Sequence, residues 1–280
     1  MTIETLSLHC CFGGWQGFYS HASRETGKPM KFAVFVPPQA EHEKRPVVTY
    51  LAGLTCTEET FIIKAGAQRL AAELGLILVA PDTSPRGTDF PGQAESWDFG
   101  VGAGFYVDAT QSPWSSHWRM QSYIAEELPA VIAAHFPVDT RRQGIFGHSM
   151  GGHGALVTAL RNPDNYRSLS ALAPIAAPSQ CPWGIKAFNG YLGSDKALWA
   201  GYDATELVKR RQFQSEILID QGLDDKFLAE QLHPHLFEAA AKSSGQKLVL
   251  RRHPGYDHGY FFIQTFIDDH LRHHHRLLTQ

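Results

Sequence analysis

From residue 46 onward, short β-rich runs alternate with stretches long enough for helices, and this alternation constrains the fold more than any other feature of the chain. PVVTYLAG (46–53), LILVAPD (76–82), GIFGHS (144–149), SLSALAPI (168–175), EILIDQG (216–222) and QKLVLRRH (246–253) are the runs. Continuous apolar runs ending in turn residues are the pattern of parallel strands buried on both faces. Helical patterns lie between and after them at 59–75, 122–136, 151–162, 227–245 and 260–275. The first is expected to close at Gly75, and the second to kink at Pro129. Strand, helix, strand in succession requires crossover connections, which make neighbouring strands parallel. KFAVFV (31–36) differs: it alternates and stops at Pro37-Pro38, predicting an antiparallel strand in an early meander. No Pro/Gly/Ser linker interrupts the series, so one α/β domain is expected over residues 1–280, its mostly parallel central sheet covered by helices on both faces. A two-domain dinucleotide-binding enzyme is disfavoured, because GVGAG (100–104) follows no strand and no GxGxxG opens a helix.

Composition excludes several classes of function. With 43% hydrophobic and 19% charged residues and a net charge of -3, the 280-residue chain has no charge excess to select nucleic acid or an anionic membrane. No stretch reaches the ~18 apolar residues of a membrane span, and MTIETLSLHCCFGGW lacks a signal-peptide pattern, so a cytoplasmic protein is expected. Cys10 and Cys11 are adjacent, Cys56 and Cys181 isolated, and no CxxC occurs, which argues against a disulfide framework or zinc knuckle. Fifteen histidines raise the question of metal. Yet there is no HExxH, and His233 and His235 fall in a predicted helix where i and i+2 point apart. His273–His275 fall at the end of the last helix, where cations complement its dipole. No metal and no other cofactor is expected.

Gly147-His148-Ser149-Met150-Gly151 is a G-x-S-x-G sequence set between a strand and a helix. A serine hydroxyl is a weak nucleophile and needs exposure, a base and a site for the developing oxyanion. A sharp strand-to-helix turn gives the exposure, its glycines allow close backbone passage, and the following helix directs N–H groups at the acyl oxygen. An acid and then a histidine should follow in chain order. EILIDQG runs into Asp224-Asp225, and QKLVLRRH into a loop carrying His258, both at the C-terminal edge of the sheet where α/β sites form. Geometry leaves Asp224 and Asp225 as alternatives for the acid, with His253 a rival to His258 for the base. His148 and His153 flank the turn without being oriented toward the serine. Asp257 is expected to cap its own turn. The N–H groups of Met150 and of Leu54, on the loop after VVTYLAG, are the candidate oxyanion donors.

With those pieces in place, the sequence resembles the S-formylglutathione hydrolase (esterase D) family of α/β-hydrolases over nearly its full length. The stretches that carry the resemblance are LAGLTCTEE, ESWDFGVGAGFYVDAT, FGHSMGGHGAL, the CPWG to YLG region, DQG-x-x-D-x-F and GYDHGYFFI-x-TFI-x-DH. The resemblance implies an α/β-hydrolase fold and hydrolysis of S-formylglutathione to glutathione and formate in formaldehyde detoxification, by a cytoplasmic homodimer without cofactor. It implies Ser149 as nucleophile, His258 as base and Asp225, the Asp of DQG-x-x-D-x-F, as acid, with the Leu54 and Met150 N–H groups as oxyanion donors. Cys56 resembles a family cysteine near the active site whose modification can impair activity. Trp97 and Trp183 are candidates for the walls of a small acyl pocket. Many relatives read YDHSYYF where this chain has Tyr256-Asp257-His258-Gly259-Tyr260-Phe261-Phe262, so hydroxyls are missing at Gly259 and Phe261; the segment TSPRGTDFPGQAESW also departs from some relatives. The rival readings are a general short-chain carboxylesterase or acyltransferase on the same scaffold, and a non-catalytic binding module.

Overall fold

The computed structural model describes residues 2–280. Strands β1 (Glu4–Cys11), β2 (Gly14–Ala22) and β3 (Pro29–Val36) form an antiparallel meander. β3 then pairs antiparallel with β5 (Ile77–Pro81), and from there every pairing is parallel: β5 to β4 (Arg45–Leu51), β4 to β6 (Val138–His148), and on through β7 (Ser168–Leu172), β8 (Ile217–Gly222) and β9 (Leu248–His253). The order across the sheet is β1-β2-β3-β5-β4-β6-β7-β8-β9. β5, β7 and β8 are buried along their whole length, as their unbroken apolar runs require.

The helices are α1 (Glu58–Lys64), α2 (Gln68–Leu74), α3 (Met120–Ser122), α4 (Leu128–His135), α5 (Met150–Arg161), α6 (Pro182–Leu192), α7 (Lys196–Ala200), α8 (Ala204–Arg210), α9 (Pro234–Ser244) and α10 (Tyr260–Leu278). Three of the expected helices differ in detail. The 59–75 segment is broken in two at Gly66, whose φ of +70° no right-handed helix contains. Pro129 does not kink a continuous helix: it occupies the first turn of α4, directly after a π-helical turn over Tyr123–Glu127. The 227–245 segment is a π-helical turn (Leu228–Leu232) followed by α9, separated by His233 at φ +49° just before Pro234. His233 and His235 therefore do not diverge as in a helix; their rings meet edge to face with centroids 5.7 Å apart. Among the described residues no three His, Cys, Asp or Glu are grouped to hold a metal ion, and no helix is long and apolar enough to cross a membrane.

α10 packs on α2 and across β6, β7 and β8, while α5 packs on β4, β6, β7 and on α8, so both faces of the sheet are covered. The contact under α10 combines apolar side chains (Phe262, Ile263, Ile267, Leu271) with a polar network. His270 bridges Asp220 (3.2 Å) and Ser170 (2.7 Å), and His274 bridges Ser170 (2.9 Å) and Ser168 (2.7 Å), all fully buried. Burial comes first for Asp220 and raises its carboxyl, but bonds from His270, Arg251 and His253 outweigh it and hold the group well below the usual carboxylate range. His273 and His274 are accordingly not dipole-compensating cations. Burial depresses both, His273 to about 4, and the basic residues of the last turn are His275 and Arg276.

Near the middle of the sheet, Tyr50 stacks on Phe61 (3.8 Å) and meets Phe146 edge-on (4.9 Å), all three fully buried. Each such ring contributes about 2–3 kcal/mol by burial. Tyr50 and Phe146 lie on β4 and β6 just below the turns that carry Gly53 and Ser149. The aromatic cluster thus anchors two neighbouring strand ends from which the site is built.

Candidate active site

β6 ends at His148 and α5 begins at Met150, leaving Ser149 alone in the turn at φ 59°, ψ -120°. A residue with a Cβ pays strain of roughly 1–3 kcal/mol in such a conformation, which the surroundings must over-determine. They do so: Ser149 N–H donates to the Leu172 carbonyl (3.0 Å), and its carbonyl accepts from His153 (3.0 Å) and Ile175 (3.2 Å). The glycines are required by contact. A Cβ on Gly147 would lie 2.3 Å from the Gly151 carbonyl oxygen, and one on Gly151 would lie 1.9 Å from that of Leu51.

The loops after β8 and β9 meet beside this turn. Of the two adjacent acids it is Asp225 that faces His258, its Oδ2 2.5 Å from Nδ1. The carboxylate is held by the Phe227 N–H (2.8 Å to Oδ1) and by Gln221 Nε2 (3.3 Å to Oδ2). Asp224 turns outward, and Gly255 N–H reaches its Oδ1 at 3.4 Å. His253 stays on the sheet, bonded to Asp220 at 3.2 Å and stacked on Phe266, away from Ser149. Asp257 accepts from the Gly259 N–H at 2.8 Å at the start of α10.

Among the described residues neither the Leu54 nor the Met150 N–H has a protein acceptor, the condition for donors reserved for a ligand oxygen. The Leu54 loop is braced from behind. Thr55, at φ 67°, donates its N–H to Gly102 (2.8 Å), Tyr106 donates its hydroxyl to the Ala52 carbonyl (2.9 Å), and Thr83 donates to that of Cys56 (2.6 Å). GVGAG is part of this brace: a Cβ on Gly102 would stand 3.2 Å from Thr55 Cα.

Ser149 and His258 line one pocket of about 180 Å³ with Gly53, Leu54, Cys56, Trp97, His148, Trp183, Phe227 and Tyr260. Trp97 and Trp183 meet edge to face at 5.5 Å, and Phe227 joins Trp183 (4.7 Å) to the His258 ring (5.0 Å). Burial pushes the Cys56 thiol up, partly offset by bonds from Thr60 and Tyr260, so it is held as a thiol.

The Esterase family model matches residues 23–273. The chain is 56% identical to the S-formylglutathione hydrolase of Rattus norvegicus, with all of both chains covered. It belongs to the S-formylglutathione hydrolase family. A bacterial S-formylglutathione hydrolase, from Paracoccus denitrificans, is 51% identical over 98% of each chain. The solved S-formylglutathione hydrolase of Agrobacterium tumefaciens superposes with a TM-score of 0.96 at 53% identity, covering 98% of this chain and 99% of that one. As a member of the S-formylglutathione hydrolase family, the chain has the α/β-hydrolase fold and is a serine hydrolase of esters and thioesters.

Within this family frame, two pocket residues escaped the sequence reading. His148 faces inward, its ring centroid 4.4 Å from that of His258; burial, and then the neighbouring His258, depress it far below an ordinary imidazole, so it stays neutral. Adjacency to the serine had concealed this, because side-chain direction at a strand end cannot be read from spacing. Tyr260 lines the pocket beside Cys56, its hydroxyl raised by burial. His153 points away, bonding the Phe105 carbonyl at 2.9 Å. Of the two positions lacking a hydroxyl, Phe261 is 83% exposed and lines no part of the pocket, while Gly259 lines an adjoining groove.

Proposed function

We propose that this chain hydrolyses S-formylglutathione to glutathione and formate through a formyl-serine intermediate on Ser149. His258 Nε2 takes the Ser149 proton as the hydroxyl attacks the thioester carbonyl. Asp225 keeps the imidazole proton on Nδ1 and stabilises the cation that forms. The Leu54 and Met150 N–H groups receive the oxyanion. The C–S bond breaks as His258 returns the proton to sulfur and glutathione leaves. His258 then removes a proton from water, which attacks the formyl ester, and Ser149 is regenerated with release of formate. His148, held neutral, adds no like charge beside the His258 imidazolium.

The observation that carries this reading is the 2.5 Å Asp225–His258 bond opening onto the same small apolar pocket as Ser149. Trp97 and Trp183 wall a space suited to a short acyl group, and Cys56 lines it as a thiol open to modification. The resemblance adds a cytoplasmic, single-domain protein that pairs as a homodimer, which size-exclusion chromatography with light scattering tests. The activity test compares kcat/KM for S-formylglutathione with that for aryl acetates. A preference for the thioester supports the proposal; equal or greater efficiency on aryl acetates favours a general carboxylesterase.

A further inference from the structure

A second cavity, of about 380 Å³, adjoins the pocket and is lined by Asp224, Lys226, Phe227, Asp257, His258 and Gly259. It shares Phe227 and His258 with the pocket that holds Ser149. We propose that this groove binds the glutathione moiety, with Lys226 and Asp224 reading the carboxylate and ammonium of its γ-glutamyl end. The inference rests on the substrate proposed above.

The Ser149 pocket has no permanently charged side chain among its walls, whereas the tripeptide carries two carboxylates and an ammonium, and an unpaired ion is not buried there without large cost. The charged part must therefore lie outside. The direction follows from proton transfer: the imidazolium that protonates the departing sulfur is His258, so the leaving group extends from the His258 side, which is the wall common to both cavities.

The groove's ions are suited to a zwitterion. Lys226 has no carboxylate within ion-pair distance among the described residues; its ammonium rests 5.0 Å from the centroid of the Phe227 ring. Asp224 has no cation partner among the described residues and accepts only the 3.4 Å contact from Gly255 N–H. Asp257 accepts the Gly259 N–H at 2.8 Å, a closer contact than the 3.4 Å one at Asp224, which leaves Asp224 the less committed acceptor for an ammonium. One free cation and one free anion on a single loop match the paired charges of an α-amino acid end.

The test measures kcat/KM for S-formylglutathione and for the uncharged thioester S-formyl-N-acetylcysteamine in the intact enzyme and in Lys226→Glu, Asp224→Lys and Lys226→Arg. Charge reversal at either position is expected to lower the ratio of the two efficiencies about tenfold, chiefly through KM, with the loss shrinking at high salt. Lys226→Arg should keep the ratio within about twofold, since it preserves the charge. An unmoved ratio in both reversal variants, or an equal loss on both substrates, overturns the inference while leaving the proposed activity standing. Failure of the unmodified enzyme to turn over S-formylglutathione, with the uncharged thioester still cleaved, overturns the activity and the inference with it.

Discussion

Replacing Asp225 by asparagine changes one atom and should disable the base. The carboxylate accepts on both oxygens, from Phe227 N–H at 2.8 Å on Oδ1 and from His258 and Gln221 on Oδ2. An amide has only one acceptor oxygen for these donors. If that oxygen stays on Phe227 N–H, the amide NH₂ faces His258 and donates to Nδ1, moving the ring proton to Nε2, where it cannot accept from Ser149. If the amide is flipped, its NH₂ opposes the Phe227 N–H and a buried donor is left unpaired, at about 1–3 kcal/mol. The first arrangement gives up only the longer 3.3 Å contact from Gln221 rather than the 2.8 Å bond from Phe227 N–H, and should dominate. A wrong tautomer at such a site costs ~10⁴ in kcat, which is roughly 5 kcal/mol of transition-state stabilisation. Steady-state kinetics on S-formylglutathione, with a melting curve to verify folding, read the effect directly. A folded Asp225→Asn enzyme with kcat within tenfold of the parent would refute the tautomer argument.

Two further outcomes follow from the geometry. Gly151→Ala places a methyl 1.9 Å from the Leu51 carbonyl, and neither backbone can retreat without moving the Ser149 turn; a loss of roughly 3 kcal/mol or more is expected, visible as a lowered Tm, and an unchanged Tm would show that the turn is not as constrained as described. His153 and His273 both have folded pKa values of about 4 against 6.5 for a free imidazole, so the unfolded chain binds protons first as pH falls; stability should be full above pH 6.5 and decline toward pH 4, by about 3 kcal/mol for each. Urea denaturation across that range measures the slope, and His153→Gln should reduce it; a slope unchanged by the substitution would contradict the assignment.

The parallel half of the sheet was legible because its strands are buried on both faces and cannot avoid an unbroken apolar run. β1 was not: it is an edge strand, and although Leu6, Leu8 and Cys10 alternate with Ser7 and His9, the apolar side chains are exposed and no core demands them. Helix breaks at Gly66 and His233 were missed because apolar periodicity continues across them while one residue takes positive φ. α6 was missed as well, since PWGIKAFNGYL mixes glycines with aromatics and starts at a proline. In the candidate site, strand order put Ser149, the aspartate pair and His258 at one sheet edge, but facing is a matter of single dihedrals. Asp224 and Asp225 share a loop, and strand order and spacing alone do not distinguish the one turned toward His258. Ring positions such as that of His148 likewise depend on packing from loops distant in sequence.

The proposed acyl transfer requires Ser149 as the attacking group. Ser149→Ala keeps the Cβ and the same strained backbone, so its melting temperature should match the parent's, while hydrolysis of S-formylglutathione should fall by roughly 10⁶. A folded Ser149→Ala protein that still releases glutathione thiol within tenfold of the parent rate would contradict it.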